Sequence, residues 1–125
     1  MPYEVRVDNE TRTIVITGFG SGTTADTLEL NASQHETFRE NPGFNLIYDS
    51  SALQIDSSPA DMMRVATALF DDNGSYFGRI AVVVPESREA LARMFAALAH
   101  PHSVNTNVFT NLADARRWLG IERAQ

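Results

Sequence analysis

The chain contains no cysteine, which excludes a disulfide, a thiolate nucleophile and a sulfur-ligated metal site. It also contains no lysine. Ten basic residues, all arginine, face sixteen acidic ones, for a formal net charge of −6. That balance disfavours nucleic acid and anionic membrane as partners, because phosphates are gathered by basic patches. No apolar run approaches the roughly 20 residues needed to span a bilayer. The opening Met-Pro-Tyr-Glu-Val-Arg lacks the apolar centre of a signal peptide. A soluble, cytoplasmic protein is therefore the expectation. With 125 residues and 43% hydrophobic content, the chain can bury one core, and a single domain over residues 1–125 is expected.

What is present alternates between two periodicities. Tyr3, Val5 and Val7 alternate with charged residues, as in a half-buried strand. After the turn residues Asp8 to Thr11, Thr13–Thr17 reads as its hairpin partner. Gly18, Gly20 and Gly22 should break that strand, and a single helix is expected from about Thr24 to Glu40, stopped by Asn41-Pro42-Gly43. Phe44–Tyr48 is the next strand, followed by a short loop. Ser58-Pro59-Ala60-Asp61 carries helix-start signals: Ser58 can cap, Pro59 fits the first turn, and Asp61 suits the positive helix end. Asp71 to Ser75 reads as a polar turn. Arg79–Val84 is continuously apolar after its first residue, as in a strand covered on both faces. Leu91, Met94, Phe95 and Leu98 form the stripe of a further helix, Asn107–Thr110 a last short strand, and Asn111 a cap for the final helix. Helices alternating with strands after a hairpin imply an α/β fold with right-handed βαβ units and a mostly parallel sheet.

Few motifs carry chemistry. The glycines at 18, 20 and 22 could cradle a phosphate, with Asp49 at the next strand's end where a ribose-binding acid would sit. The sixth position of that fingerprint is Thr23, however, and a plain strand-to-helix connection is the simpler reading. His100-Pro-His102 lacks a carboxylate cluster and has no metal-ligand spacing, so a helix-ending turn is expected, with no metal and no cofactor. No Gly-x-Ser-x-Gly elbow supports a hydrolase, and a non-enzymatic protein is expected. The segment Asp56-Ser57-Ser58 is the most informative. Ser58 can simply cap a helix. Alternatively Ser57 is a phosphorylation candidate, where phosphate would add about −1.5 to −2 charges beside Asp56 and Asp61.

Several of these residues are similar to one family. Ile16-Thr-Gly18 followed by Thr24-Ala-Asp-Thr-Leu28, and Leu46-Ile-Tyr-Asp49 running into Ile55-Asp-Ser-Ser58, resemble STAS domains, the anti-sigma-factor antagonist and sulfate-transporter family. Arg79–Val84, Ala92-Arg-Met-Phe95 and Val108–Leu119 resemble the SpoIIAA-like (STAS/SEC14-type) bacterial proteins. The resemblance implies a SpoIIAA-like single domain: an N-terminal β-hairpin, then βα units, a mixed sheet of about five strands and about four helices. In the antagonists the serine after the aspartate is phosphorylated by an anti-sigma kinase, and Ser57 holds that place. Pro59 stands where the family has glycine, and Phe19-Gly20-Ser21 where it has an acidic pair. The resemblance thus implies a regulatory protein-interaction module with a protein partner, such as a kinase of anti-sigma type. Its SEC14-type side implies an alternative, a carrier of a small apolar ligand or lipid lined by Met62, Met63, Phe70, Phe77, Met94 and Phe95, although such residues also fill cores. A nucleotide-binding enzyme using the glycine segment is the third reading. A homodimer is allowed, though no exposed apolar run demands it.

Overall fold

The computed structural model describes residues 2–122. Five strands form one sheet in the order β1-β2-β3-β4-β5. They are β1 (Tyr3–Asp8), β2 (Thr13–Gly22), β3 (Asn45–Ile55), β4 (Arg79–Val83) and β5 (Asn105–Phe109). β1 and β2 are the expected antiparallel hairpin, with Tyr3 opposite Gly18. Its turn is tied by the Asp8 carboxylate, which accepts from the Glu10 and Thr11 backbone amides. Every later neighbour pair is parallel.

The helices are α1 (Thr24–Ser33), α2 (His35–Glu40), α3 (Pro59–Asn73), α4 (Glu89–Ala99) and α5 (Leu112–Leu119). When parallel strands are laid down in sequence order, right-handed crossovers place every connecting helix on one face. One buried cluster accordingly joins Leu30, Phe38, Leu69, Phe70 and Phe95 of α1–α4 to Ile14, Ile16, Leu46, Ile80 and Val82 of the sheet. The other face is covered, among the described residues, by α5 and the following Ile121; Ala115 and Leu119 of α5 pack on Ile47, Ala81 and Val83. β4 divides its residues between the two clusters, as its unbroken apolar run implied.

Five boundaries differ from the sequence reading. The expected helix from Thr24 to Glu40 is two helices, interrupted at Gln34. The Asp71–Ser75 segment does not form a turn throughout: α3 continues to Asn73 and a 3-10 turn follows over Gly74–Tyr76. β5 spans Asn105–Phe109 instead of Asn107–Thr110. The glycine segment does not break its strand. β2 runs on to Gly22, and β3 runs on to Ile55 beside it. The pairing shifts between Thr17–Asp49 and Phe19–Ala52, so β3 carries one residue more than β2 there. Such a bulge bends the ribbon. The Asp49 carboxylate fits the bend, accepting from the Ser51 amide and hydroxyl at 3.1 and 2.6 Å. Gly18 makes room for a close approach: a Cβ at that position would lie 3.0 Å from the Tyr3 ring and 3.2 Å from Leu53, so one of them would have to shift.

Candidate functional site

β3 leaves β4 at Asp49, and its extension with β2 leans over the carboxyl end of the parallel strands. In α/β sheets ligands collect outside those carboxyl ends. Here the space is bounded by the extension, α3 and α4, and it forms a partly open cavity of about 90 Å³. Leu53, Ile55, Met62, Val65, Ala92 and Phe95 give it an apolar wall, with Tyr3, Tyr48, Ser57 and Arg88 as its principal polar side chains. No histidine or carboxylate lines it.

Ser57 sits at the mouth. Its hydroxyl shares a 3.1 Å hydrogen bond with that of Thr24, the first residue of α1. Ser57 is half-buried, whereas Asp56 and Ser58 are exposed. Ser58 performs the expected capping: its hydroxyl accepts from the Asp61 amide, and the Asp61 carboxylate accepts from the Ser58 amide at 3.0 Å. That amide first, and then Arg64, hold the Asp61 carboxyl below its ordinary value. Replacing Ser58 with Ala should cost about 1 kcal/mol, read as a lowered urea midpoint with an unchanged slope. An unchanged midpoint would show that the box contributes nothing to α3.

The cavity floor holds two tyrosines. The Tyr3 and Tyr48 rings stand edge to face, 6.0 Å apart. The Tyr3 hydroxyl bonds that of Thr27 at 2.7 Å. The Tyr48 hydroxyl is shut off from water and has no hydrogen-bond partner among the described residues. The two phenols are near enough to influence each other's charge, but no bond of acceptable length and angle joins them. Burial raises the pKa of both, and Tyr48 much more strongly, so both are neutral near pH 7. An unmade bond at a buried hydroxyl costs about 1–3 kcal/mol.

Arg88 closes the site at the start of α4. Its Nη2 donates to the carbonyls of Ser50 and Leu53 at 2.5 and 2.7 Å, clamping the bulged stretch of β3. The guanidinium is part-buried, and that burial lowers its pKa, although arginine stays charged in proteins. Among the described residues the ion pairs use Arg39, Arg64, Arg93, Arg117 and His102, and none uses Arg88.

The residues singled out from sequence thus divide. Ser57 lines the cavity, and Met62 and Phe95 of the proposed apolar lining do too. Met63 is 55% exposed, Phe70 is core, and Phe77 packs on Phe38 at 4.9 Å; none of the three lines the cavity, and neither does Met94. Gly18, Gly20 and Gly22 belong to a strand and not to a phosphate loop, and Asp49 is engaged with Ser51. His100 and His102 form a 3-10 turn at the end of α4, with His102 stacked on Phe70. Among the described residues no cluster suits a metal ion and no helix is long and apolar enough to cross a membrane. Tyr48 and Arg88 were not anticipated. The available signals were a phenol following the apolar pair Leu46-Ile47 and an arginine three residues after a strand-ending proline.

No protein-family model matches the chain, and no curated protein matches it. Among solved structures, it is similar to an uncharacterized protein of the DUF3478 family with a SpoIIAA-like fold from Shewanella loihica PV-4. The TM-score is 0.64 at 18% identity, over 94% of this chain and 91% of the other. The fold is SpoIIAA-like, as the sequence resemblance implied.

Proposed function

We propose that this domain is a non-enzymatic binding module whose pocket, beneath the β2–β3 extension, receives a small apolar molecule. The supporting observation is the cavity itself: an apolar wall with a few polar side chains at the carboxyl end of the sheet. Among the described residues its lining has no histidine or carboxylate, and its two phenols are held neutral by burial, which favours binding over catalysis. The test is a titration of 15N-labelled protein with 1-hexanol, followed through amide chemical shifts. Saturable shifts confined to Tyr48, Leu53, Val65, Phe95 and their neighbours are expected. Shifts that are linear, or scattered over the surface, would refute the pocket.

A second reading is favoured by the position of Ser57. Its hydroxyl lies between the amino ends of α1 and α3, and both helix dipoles favour negative charge there. A phosphate on Ser57 would stand at the pocket mouth between exposed Asp56 and the α3 start. In this reading the module is regulatory, its partner is a protein such as an anti-sigma-type kinase, and phosphorylation controls access to the pocket or to the surface around it. Incubation with host lysate and ATP should then yield a single phosphate at Ser57 by mass spectrometry. An unmodified chain under those conditions removes the switch and leaves the pocket standing.

A further inference from the structure

The pocket's polar groups specify what kind of apolar molecule it takes; the inference rests on the binding reading above. Arg88 presents a part-buried positive charge with no carboxylate partner among the described residues. Its two bonds go to neutral carbonyls, both through Nη2, and no hydrogen bond of the described residues uses Nη1 or Nε. A cation drawn away from water is stabilised chiefly by an opposite charge. Tyr48 supplies the second observation, independent of the first. It is 9% exposed, it lines the same cavity, and its hydroxyl lacks any acceptor. Of the other hydroxyls there, Tyr3 is matched with Thr27 and Ser57 with Thr24, and Ser50 adds a small neutral hydroxyl. The lining thus offers a cation and neutral hydroxyls, with no carboxylate to offset the charge.

We propose that the ligand is a small monocarboxylate, its carboxylate held by the Arg88 guanidinium and the Tyr48 hydroxyl and its apolar tail lying against Val65, Ala92 and Phe95. A carboxylate only accepts hydrogen bonds, and its two oxygens match an arginine fork. An alcohol satisfies one donor without offsetting the charge, and an ammonium adds a like charge. Size limits the tail. A sealed apolar cavity of about 150 Å³ holds benzene, so this cavity of about 90 Å³ encloses about four carbons, and a longer tail extends through its open side.

The experiment compares sodium hexanoate, 1-hexanol and hexylammonium chloride at pH 7 by amide chemical-shift titration of the whole chain. Hexanoate should bind at least about tenfold more tightly than 1-hexanol, with hexylammonium weakest. Tyr48→Phe should weaken hexanoate by about three- to tenfold while changing 1-hexanol by less than about twofold. Arg88→Gln should bring the two affinities to within about twofold of each other. Since Arg88 also clamps β3, Arg88→Lys accompanies it. Lysine keeps the charge, so the preference for hexanoate should persist, and parity in that variant overturns the inference. Equal affinity of the wild-type protein for hexanoate and 1-hexanol, or a preference for hexylammonium, also overturns it and leaves the pocket reading intact. No saturable binding of any of the three removes both.

Discussion

Phe38→Ala is expected to destabilise the domain by about 3–5 kcal/mol, a large share of the roughly 5–15 kcal/mol that holds a typical domain together. Two mechanisms act in the same direction. Phe38 is 0% exposed, and its ring packs edge to face on Phe77 at 4.9 Å, so truncation leaves a cavity in the principal core. Phe38 is also the buried residue of α2, a helix of six residues. A helix that short has no stability of its own, since nucleation is unfavourable and isolated helices need about 12–15 residues. Without the ring, α2 has little reason to stay docked. Urea unfolding should show the midpoint falling by about 1 M or more. Phe19→Ala is the matched control: Phe19 is 44% exposed, and its removal should change stability by less than about 0.5 kcal/mol. Similar midpoints for the two variants would show that α2 is not anchored as described.

The same residues indicate which parts of the molecule can be read from sequence. The β1–β2 hairpin was legible because alternation and an Asp-led turn act locally. The start of α3 was legible because Ser58, Pro59 and Asp61 satisfy one another within four positions. β4 was legible because a strand between two packed layers has no polar side to show. The extension of β2 was not. Glycine signals a break by its own preferences, but here neighbouring β3 supplies the pairing, and the absence of a side chain at Gly18 lets Tyr3 and Leu53 approach. The division at Gln34 was hidden for a different reason: no Gly or Pro marks it, and the helical pattern continues through it. The site was least legible of all. Tyr48 and Arg88 are 40 positions apart in the chain, and only the crossover through α3 and β4 brings an unpaired phenol and an unpaired cation to one cavity. Ser57 was singled out because its neighbours resemble a motif; the cavity it borders has no local signature.

The cavity and the core can be separated by a substitution that adds atoms instead of removing them. Ala92 is 6% exposed, belongs to α4 and forms part of the cavity wall. Ala92→Leu extends the side chain by three carbons into a space of about 90 Å³. Two opposing effects bear on stability. Filling a cavity commonly gains about 0.5–2 kcal/mol, and overpacking commonly costs about 1–3 kcal/mol. The net change should therefore lie between a gain of about 1 kcal/mol and a loss of about 2.5 kcal/mol, less than for Phe38→Ala. Binding has no such compensation, because the added carbons occupy the volume that the ligand's tail requires. The affinity for 1-hexanol should fall by at least about tenfold, since displacing even two methylene groups from an apolar wall forfeits about 1.6 kcal/mol. A urea midpoint above that of Phe38→Ala together with lost binding is thus the expected pair of results. Binding of 1-hexanol as in the wild-type protein would mean that the probe lodges elsewhere, and the pocket beneath the β2–β3 extension would then lose its functional assignment even though the fold around it remains as described.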